Sequence, residues 1–159
     1  MTELAIHAAD RDIADELSEQ VRSAYHDRAP LRIVGGNTRA FYGRPVEGTE
    51  LSVAAHSGIV SYDPIELVVT VRAGTRLSAL NAVLAEKHQM LPFEPPIFGD
   101  ASTIGGAVAT GMSGPRRPWA GAARDFVLGT RVITQEGKLL RFGGEVMKNV
   151  AGYDLSRMM

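Results

Sequence analysis

Two glycine loops carry the residues in this chain whose types and spacing could do chemistry. Gly35-Gly36-Asn37-Thr38 follows the apolar run Leu31-Arg32-Ile33-Val34, and Ser102-Thr103 stands just before Gly105-Gly106. Glycine permits positive φ and lets a backbone come close to a ligand. A strand ending in Gly-Gly-Asn-Thr presents successive backbone N–H groups with a side-chain amide and a hydroxyl. Such a nest can hold a phosphate without a lysine. Ser102-Thr103 offers a second set of donors, and a helix starting there would add a favourable dipole. Taken singly, each loop is more often an ordinary turn. Taken together, they point to a clamp on a diphosphate, and so to a dinucleotide.

Several other chemistries are excluded or unsupported. A P-loop needs G-x-x-x-x-G-K-S/T, but Gly137-Lys138 is followed by Leu139, and Val132 holds the first glycine position. The Rossmann G-x-G-x-x-G is absent after Val34, and no G-x-S-x-G elbow occurs. The chain has no cysteine, which removes disulfides, thiolate metal sites and a cysteinyl bond to a cofactor. His7, His26, His56 and His88 lack ligand spacing, so no metal is expected. The net charge is -1 and the densest basic spot is only Arg116-Arg117, which argues against a nucleic-acid partner. The longest uncharged stretch, Ala101 to Pro115, is broken by glycines and falls short of the roughly 20 apolar residues that cross a bilayer. With no targeting signal at Met1-Thr2-Glu3-Leu4, a cytoplasmic protein is expected.

The elements that must position these loops follow from periodicity. Ile13, Leu17, Val21 and Ala24-Tyr25 predict a helix from Asp10, as N-cap, to about Arg28. Leu31 to Val34, Leu51 to Ala54, Gly58 to Tyr62 and Leu67 to Arg72 read as strands. Thr75 is the expected N-cap of a second helix reaching about Lys87, with Leu77, Leu80, Val83 and Leu84 on one face. A proline-rich turn covers Pro92 to Pro96. The stretch from Ala101 to Ala109 reads as a loop turning into a short helix of small residues. Phe126 to Thr134 and Lys138 to Phe142 predict a hairpin turning at Glu136-Gly137. Helices and strands do not alternate strictly, so the fold class is α+β. With 159 residues, 45% of them hydrophobic, one compact domain is expected. Val146 to Met159 fits no element.

The chain resembles the FAD-binding domain of the vanillyl-alcohol oxidase and p-cresol methylhydroxylase (PCMH) superfamily. The matching pieces come in the family's order: Ile33-Val34-Gly35-Gly36-Asn37-Thr38, Val71-Arg72-Ala73-Gly74, and Leu91-Pro92 with Pro95-Pro96. Then come Ala101-Ser102-Thr103-Ile104-Gly105-Gly106, Ser113-Gly114-Pro115, Arg124 to Gly129, and Lys148 to Leu155. Any one is weak; the ordered series is specific. Within the superfamily, Ser113 to Arg117 and Lys148 to Leu155 look most like the FAD-binding (E) subunits of bacterial-type glycolate oxidases. The D-lactate and other 2-hydroxy acid dehydrogenases share weaker versions.

The resemblance implies two α+β subdomains with FAD between them. It implies that Gly35, Gly36, Asn37 and Thr38 bind the pyrophosphate, with Ser102, Thr103, Gly105 and Gly106 closing on it. Ser113 and Gly114 would line the ribityl-to-phosphate region, and Val132 and Ile133 would offer backbone groups to the adenine. Pro95, Pro96 and Tyr153 would lie nearer the flavin ring; for Tyr153, and for Lys148 as a functional residue, the ordinary readings of core tyrosine and solvated lysine weigh equally. Asn37 stands where some members attach the flavin to a histidine, so FAD is expected to be noncovalent. The implied activity is oxidation of glycolate, a small 2-hydroxy acid, to glyoxylate. The implied partners are a second flavoprotein subunit and an iron–sulfur subunit, with the complex peripheral to the inner membrane. Residues 1–159 are then expected to be a C-terminally truncated FAD-binding domain without its substrate-binding domain. No catalytic residue is assigned. Two other readings stay open: another FAD-dependent hydroxy acid dehydrogenase, of D-lactate type, and a non-catalytic FAD-holding or assembly fragment.

Overall fold

A computed structural model describes residues 10–144. Helix α1 (Ala14–His26) opens the fold. Asp15 and Glu16 lie in its first turn, where carboxylates favour the helix dipole. The expected cap, Asp10, does not cap it. The Asp12 carboxylate accepts the Ala14 N–H at 3.0 Å, and Asp10 instead pairs with Arg72. Two residues of extra extended chain put Asp10 beside β4's exit and leave Asp12 at the helix start.

Strand β1 (Leu31–Val34) pairs in parallel with β2 (Thr49–Ser52). The second strand lies two residues earlier than expected because Leu31 registers with Thr49, and the chain turns once the Val53 N–H has reached the Val34 carbonyl at 2.8 Å. Strands β3 (Ile59–Asp63) and β4 (Val68–Val71) form an antiparallel pair. The Asp63 carboxylate closes their turn by accepting the Ile65 and Glu66 N–H groups at 2.9 and 3.1 Å.

Helix α2 (Leu77–Ala85) starts after Arg76, so Thr75 is not its cap. The Thr75 hydroxyl is held elsewhere, accepting from the Gly58 N–H at 2.9 Å and donating to the Gly58 carbonyl at 3.1 Å. Helix α3 (Ile104–Thr110) follows the proline-rich turn. A short α4 (Arg117–Ala120) was not expected from the sequence. Strands β5 (Gly129–Ile133) and β6 (Leu139–Gly143) make the anticipated hairpin. Gly137 sits in its turn at φ 71°, a conformation glycine adopts without strain.

Among the described residues the fold is thus α+β, with three two-stranded sheets and helices packed against them. Its apolar side chains gather in two clusters. Leu77, Leu80 and Leu84 of α2 meet Ile104 and Ala107 of α3, with Phe93 and Ala123. Ile13 and Leu17 pack on Leu51, with Leu31, Val53 and Ile133 around them. Loop 35–38 leaves β1 in the second cluster, and loop 101–103 enters α3 in the first. The two loops meet where the clusters adjoin.

His56 ties α1 to this frame. Its Nδ1 accepts the Ile13 N–H at 3.3 Å, which requires the neutral ring. Burial pushes its pKa down, Asp12 opposes this, and Arg72 and Arg131 assist it. The unfolded chain therefore binds this proton more readily than the folded one. Stability from His56 is complete above an unfolded value of about 6.5 and declines as pH falls through it. Thermal unfolding between neutral pH and mild acid should show a steeper loss of Tm for the wild type than for His56→Asn. Parallel profiles would contradict this.

Candidate functional site

The two glycine loops touch directly. A Cβ on Gly36 would lie 1.5 Å from the Ala101 carbonyl oxygen, and one on Gly35 would lie 2.8 Å from Thr103 Oγ1. Both glycines are thus required by packing, whatever ligand is present. Thr38 Oγ1 lies 3.1 Å from Ser102 Oγ, so side chains also bridge the loops. Ser102 is buried and accepts the Phe98 N–H at 3.0 Å, while its carbonyl accepts the Leu77 N–H at 2.8 Å.

The start of α3 does not serve as the second set of free donors. The Ile104 N–H donates to the Thr75 carbonyl and the Gly105 N–H to the Ala73 carbonyl, both at 2.9 Å. The Gly106 N–H donates to Thr103 Oγ1 at 3.2 Å, an N-cap bond. These groups anchor the start of α3 to the chain leaving β4 and cap the helix. Gly105 is also fixed by packing, since its Cβ would lie 2.7 Å from the Ala73 oxygen.

Loop 35–38 is different. Among the described residues, the backbone N–H groups of Gly35, Gly36, Asn37 and Thr38 have no hydrogen-bond partner. Asn37 has φ 55°, a left-handed conformation that asparagine tolerates better than most residues. Four adjacent free N–H groups at a strand end are the kind of donor from which phosphate nests are built.

Arg39, which motif reading missed, lies next to this nest. It is 8% exposed, and its Nη2 donates to the Pro96 carbonyl at 2.6 Å. Its guanidinium lies over the Phe98 ring, 5.4 Å from the centroid, and its Nε is buried without a partner. A buried, partly unsatisfied cation is the signal that spacing alone could not supply. Nest and cation together suit a diphosphate, so the residues present fit a dinucleotide.

Ser113 and Gly114 sit apart from these bonds. Ser113 Oγ accepts the Ala123 N–H at 3.0 Å, and the Gly114 N–H donates to the Phe93 carbonyl at 2.8 Å. Val132 and Ile133 lie on β5, paired with Leu140 and Leu139 of β6, and the Ile133 side chain packs into the second cluster. Tyr153 and Lys148 lie outside the described residues. A cavity of about 370 Å³ between α2 and the proline-rich turn is lined by Asn81, Gln89, Met90 and Glu94 among others, and includes no residue of either loop.

Gly36→Ala should destabilise the ligand-free protein by roughly 1–3 kcal/mol or more, because the Ala101 carbonyl must move. Gly106→Ala should leave ligand-free stability near the wild type. Its nearest neighbours are Thr103 Oγ1 at 3.2 Å and Arg39 Nη1 at 3.5 Å, and alanine gains up to about 1 kcal/mol of helix propensity. Urea unfolding of both variants checks this; equal losses would contradict it.

Residues 12–143 match a family described as the FAD binding domain. The chain is 61% identical over 148 residues to glycolate oxidase subunit GlcE of Escherichia coli (strain K12), covering 93% of this chain and 42% of that protein. It is 33% identical over 147 residues to glycolate oxidase subunit GlcD of Bacillus subtilis (strain 168), covering 91% of this chain and 31% of the relative. A D-lactate dehydrogenase of Archaeoglobus fulgidus is 28% identical over 148 residues, 92% of this chain and 33% of its own length. The chain spans less than half the length of these curated relatives. Among solved structures, alkyldihydroxyacetonephosphate synthase superposes with a TM-score of 0.67 at 21% identity, over 91% of this chain and 26% of that one, a likeness of fold. The family match runs across every described element from α1 to β6. The chain therefore belongs to the FAD binding domain family, and its cofactor is FAD.

Proposed function

We propose that this chain is the FAD-holding part of a glycolate oxidase subunit, which takes part in oxidising glycolate to glyoxylate. One observation carries the substrate reading: identity is 61% to a glycolate oxidase subunit and only 28% to the D-lactate dehydrogenase, over the same extent of chain. When bound, FAD supplies the hydride acceptor. The role of this chain's residues is to hold and orient it. The free N–H groups of Gly35 to Thr38 take the pyrophosphate. Ser102, Thr103, Gly105 and Gly106 act mainly by locking that loop in place. The family resemblance assigns Ser113 and Gly114 to the ribityl region, Val132 and Ile133 to the adenine, and Pro96 and Tyr153 to the flavin ring.

In this reading the substrate-binding domain lies outside residues 1–159, and the acid–base groups for the hydroxyl proton come from it. The partners are a second flavoprotein subunit and an iron–sulfur subunit. No helix among the described residues is long and apolar enough to cross a membrane. The proposed complex is cytoplasmic, peripheral to the inner membrane. FAD is held noncovalently, because Asn37 offers no nucleophile where some superfamily members use histidine, and the chain has no cysteine.

Turnover by the intact complex tests the substrate. Glycolate should exceed D-lactate in kcat/KM by roughly tenfold or more, the scale on which one added methyl group discriminates. A preference for D-lactate would replace glycolate with that substrate. Copurification with the partners but no turnover of either acid would favour a non-catalytic assembly role. The visible spectrum tests attachment: flavin bands should survive desalting and leave with the supernatant after acid precipitation. Flavin in the pellet would overturn the noncovalent reading.

A further inference from the structure

We infer that Arg39 is the charge partner of the cofactor's diphosphate and sets the preference of the site for FAD over unphosphorylated flavin. The inference rests on the reading that loop 35–38 holds the pyrophosphate. Arg39 follows that loop by one residue, and its Nη1 lies 3.5 Å from where a Gly106 Cβ would stand, so the guanidinium reaches from one loop to the other. The side chain is 8% exposed, yet no carboxylate among the described residues forms an ion pair with it.

Its protein partners are neutral: the Pro96 carbonyl at 2.6 Å and the face of Phe98, which is itself braced by Phe41 with ring centroids 5.1 Å apart. Nε is buried without an acceptor. A buried cation without a counter-charge is unfavourable, and burial pulls the Arg39 pKa down. Arginine nevertheless stays protonated, and an anion beside it would relieve the charge that these neutral partners leave uncompensated. The four free N–H groups beside it select the kind of anion. They are neutral donors suited to phosphate oxygens, while the guanidinium brings the charge and a planar fork that fits the same oxygens.

Three probes separate charge recognition from simple loss of structure: FAD, riboflavin, which lacks phosphate, and ADP, which carries a diphosphate without flavin. Each is titrated into the flavin-depleted intact protein. Arg39→Met should weaken FAD and ADP by about tenfold to a hundredfold, the worth of a hydrogen bond to a charged group, and leave riboflavin unchanged. Arg39→Lys, which keeps the charge but loses the fork, should fall between. Equal loss of FAD and riboflavin would make Arg39 a structural tether and overturn the inference, as would unchanged FAD affinity. If Arg39→Met does not fold, Arg39→Gln can still donate to the Pro96 carbonyl, and the same outcomes decide. A wild type that binds no FAD would overturn the pyrophosphate reading and this inference with it. A wild type that binds FAD as tightly as its Arg39→Met variant would overturn this inference alone.

Discussion

The approach of Gly36 to the Ala101 carbonyl is the constraint on which the rest of the site depends. No side chain fits between them, since even a Cβ would stand 1.5 Å from that oxygen. This contact lets the end of a strand from one apolar cluster lie against the entry to a helix of the other. The bond between Thr38 and Ser102 and the burial of Ser102 reinforce it. The close approach is what turns two glycine turns into one shared surface.

The hydrogen bonding around this contact is asymmetric. Donors at the start of α3 are engaged inside the protein, by Thr75, Ala73 and Thr103. Those of loop 35–38 are not. One loop spends its donors on the scaffold and the other keeps them open. A buried polar group is costly to leave unsatisfied, so free donors persist where solvent or a ligand can reach them. The same reasoning applies more strongly to Arg39, whose charge is enclosed by neutral groups. An enclosed cation beside four open N–H groups fits a diphosphate, the anion in the middle of the family's dinucleotide.

Packing explains why so many positions are glycine. Gly35, Gly36, Gly74 and Gly105 each face a backbone or side-chain atom where a Cβ would stand, in a region where strands and loops approach at less than side-chain width. Their role is to let chain segments touch. Gly106 is more open, and it lies closest to Arg39. Leu77 and Leu80 pack with Ile104 and Ala107 and so hold α2 against α3, whose entry carries one of the two loops.

Much of this protein was legible in its sequence. Helix α1, the strand before Gly35, helix α2 and the final hairpin follow from apolar spacing, a local property that burial preserves. The ordered motifs were enough to name the family, because each records a local backbone geometry. Caps were misplaced at Asp10 and Thr75, since both side chains are claimed by distant partners, Arg72 and Gly58. Helix α4 was missed because Arg117-Pro118-Trp119-Ala120 carries no periodic signal. What only the tertiary structure decided is which donors are free and which charge is unpaired. Hydrogen bonds between residues about 30 to 60 positions apart consume some groups and spare others, and a linear pattern holds no record of that competition. Sequence thus determined that two glycine loops exist and what they resemble; the fold decided which of them spends its donors inside the protein and which keeps them free.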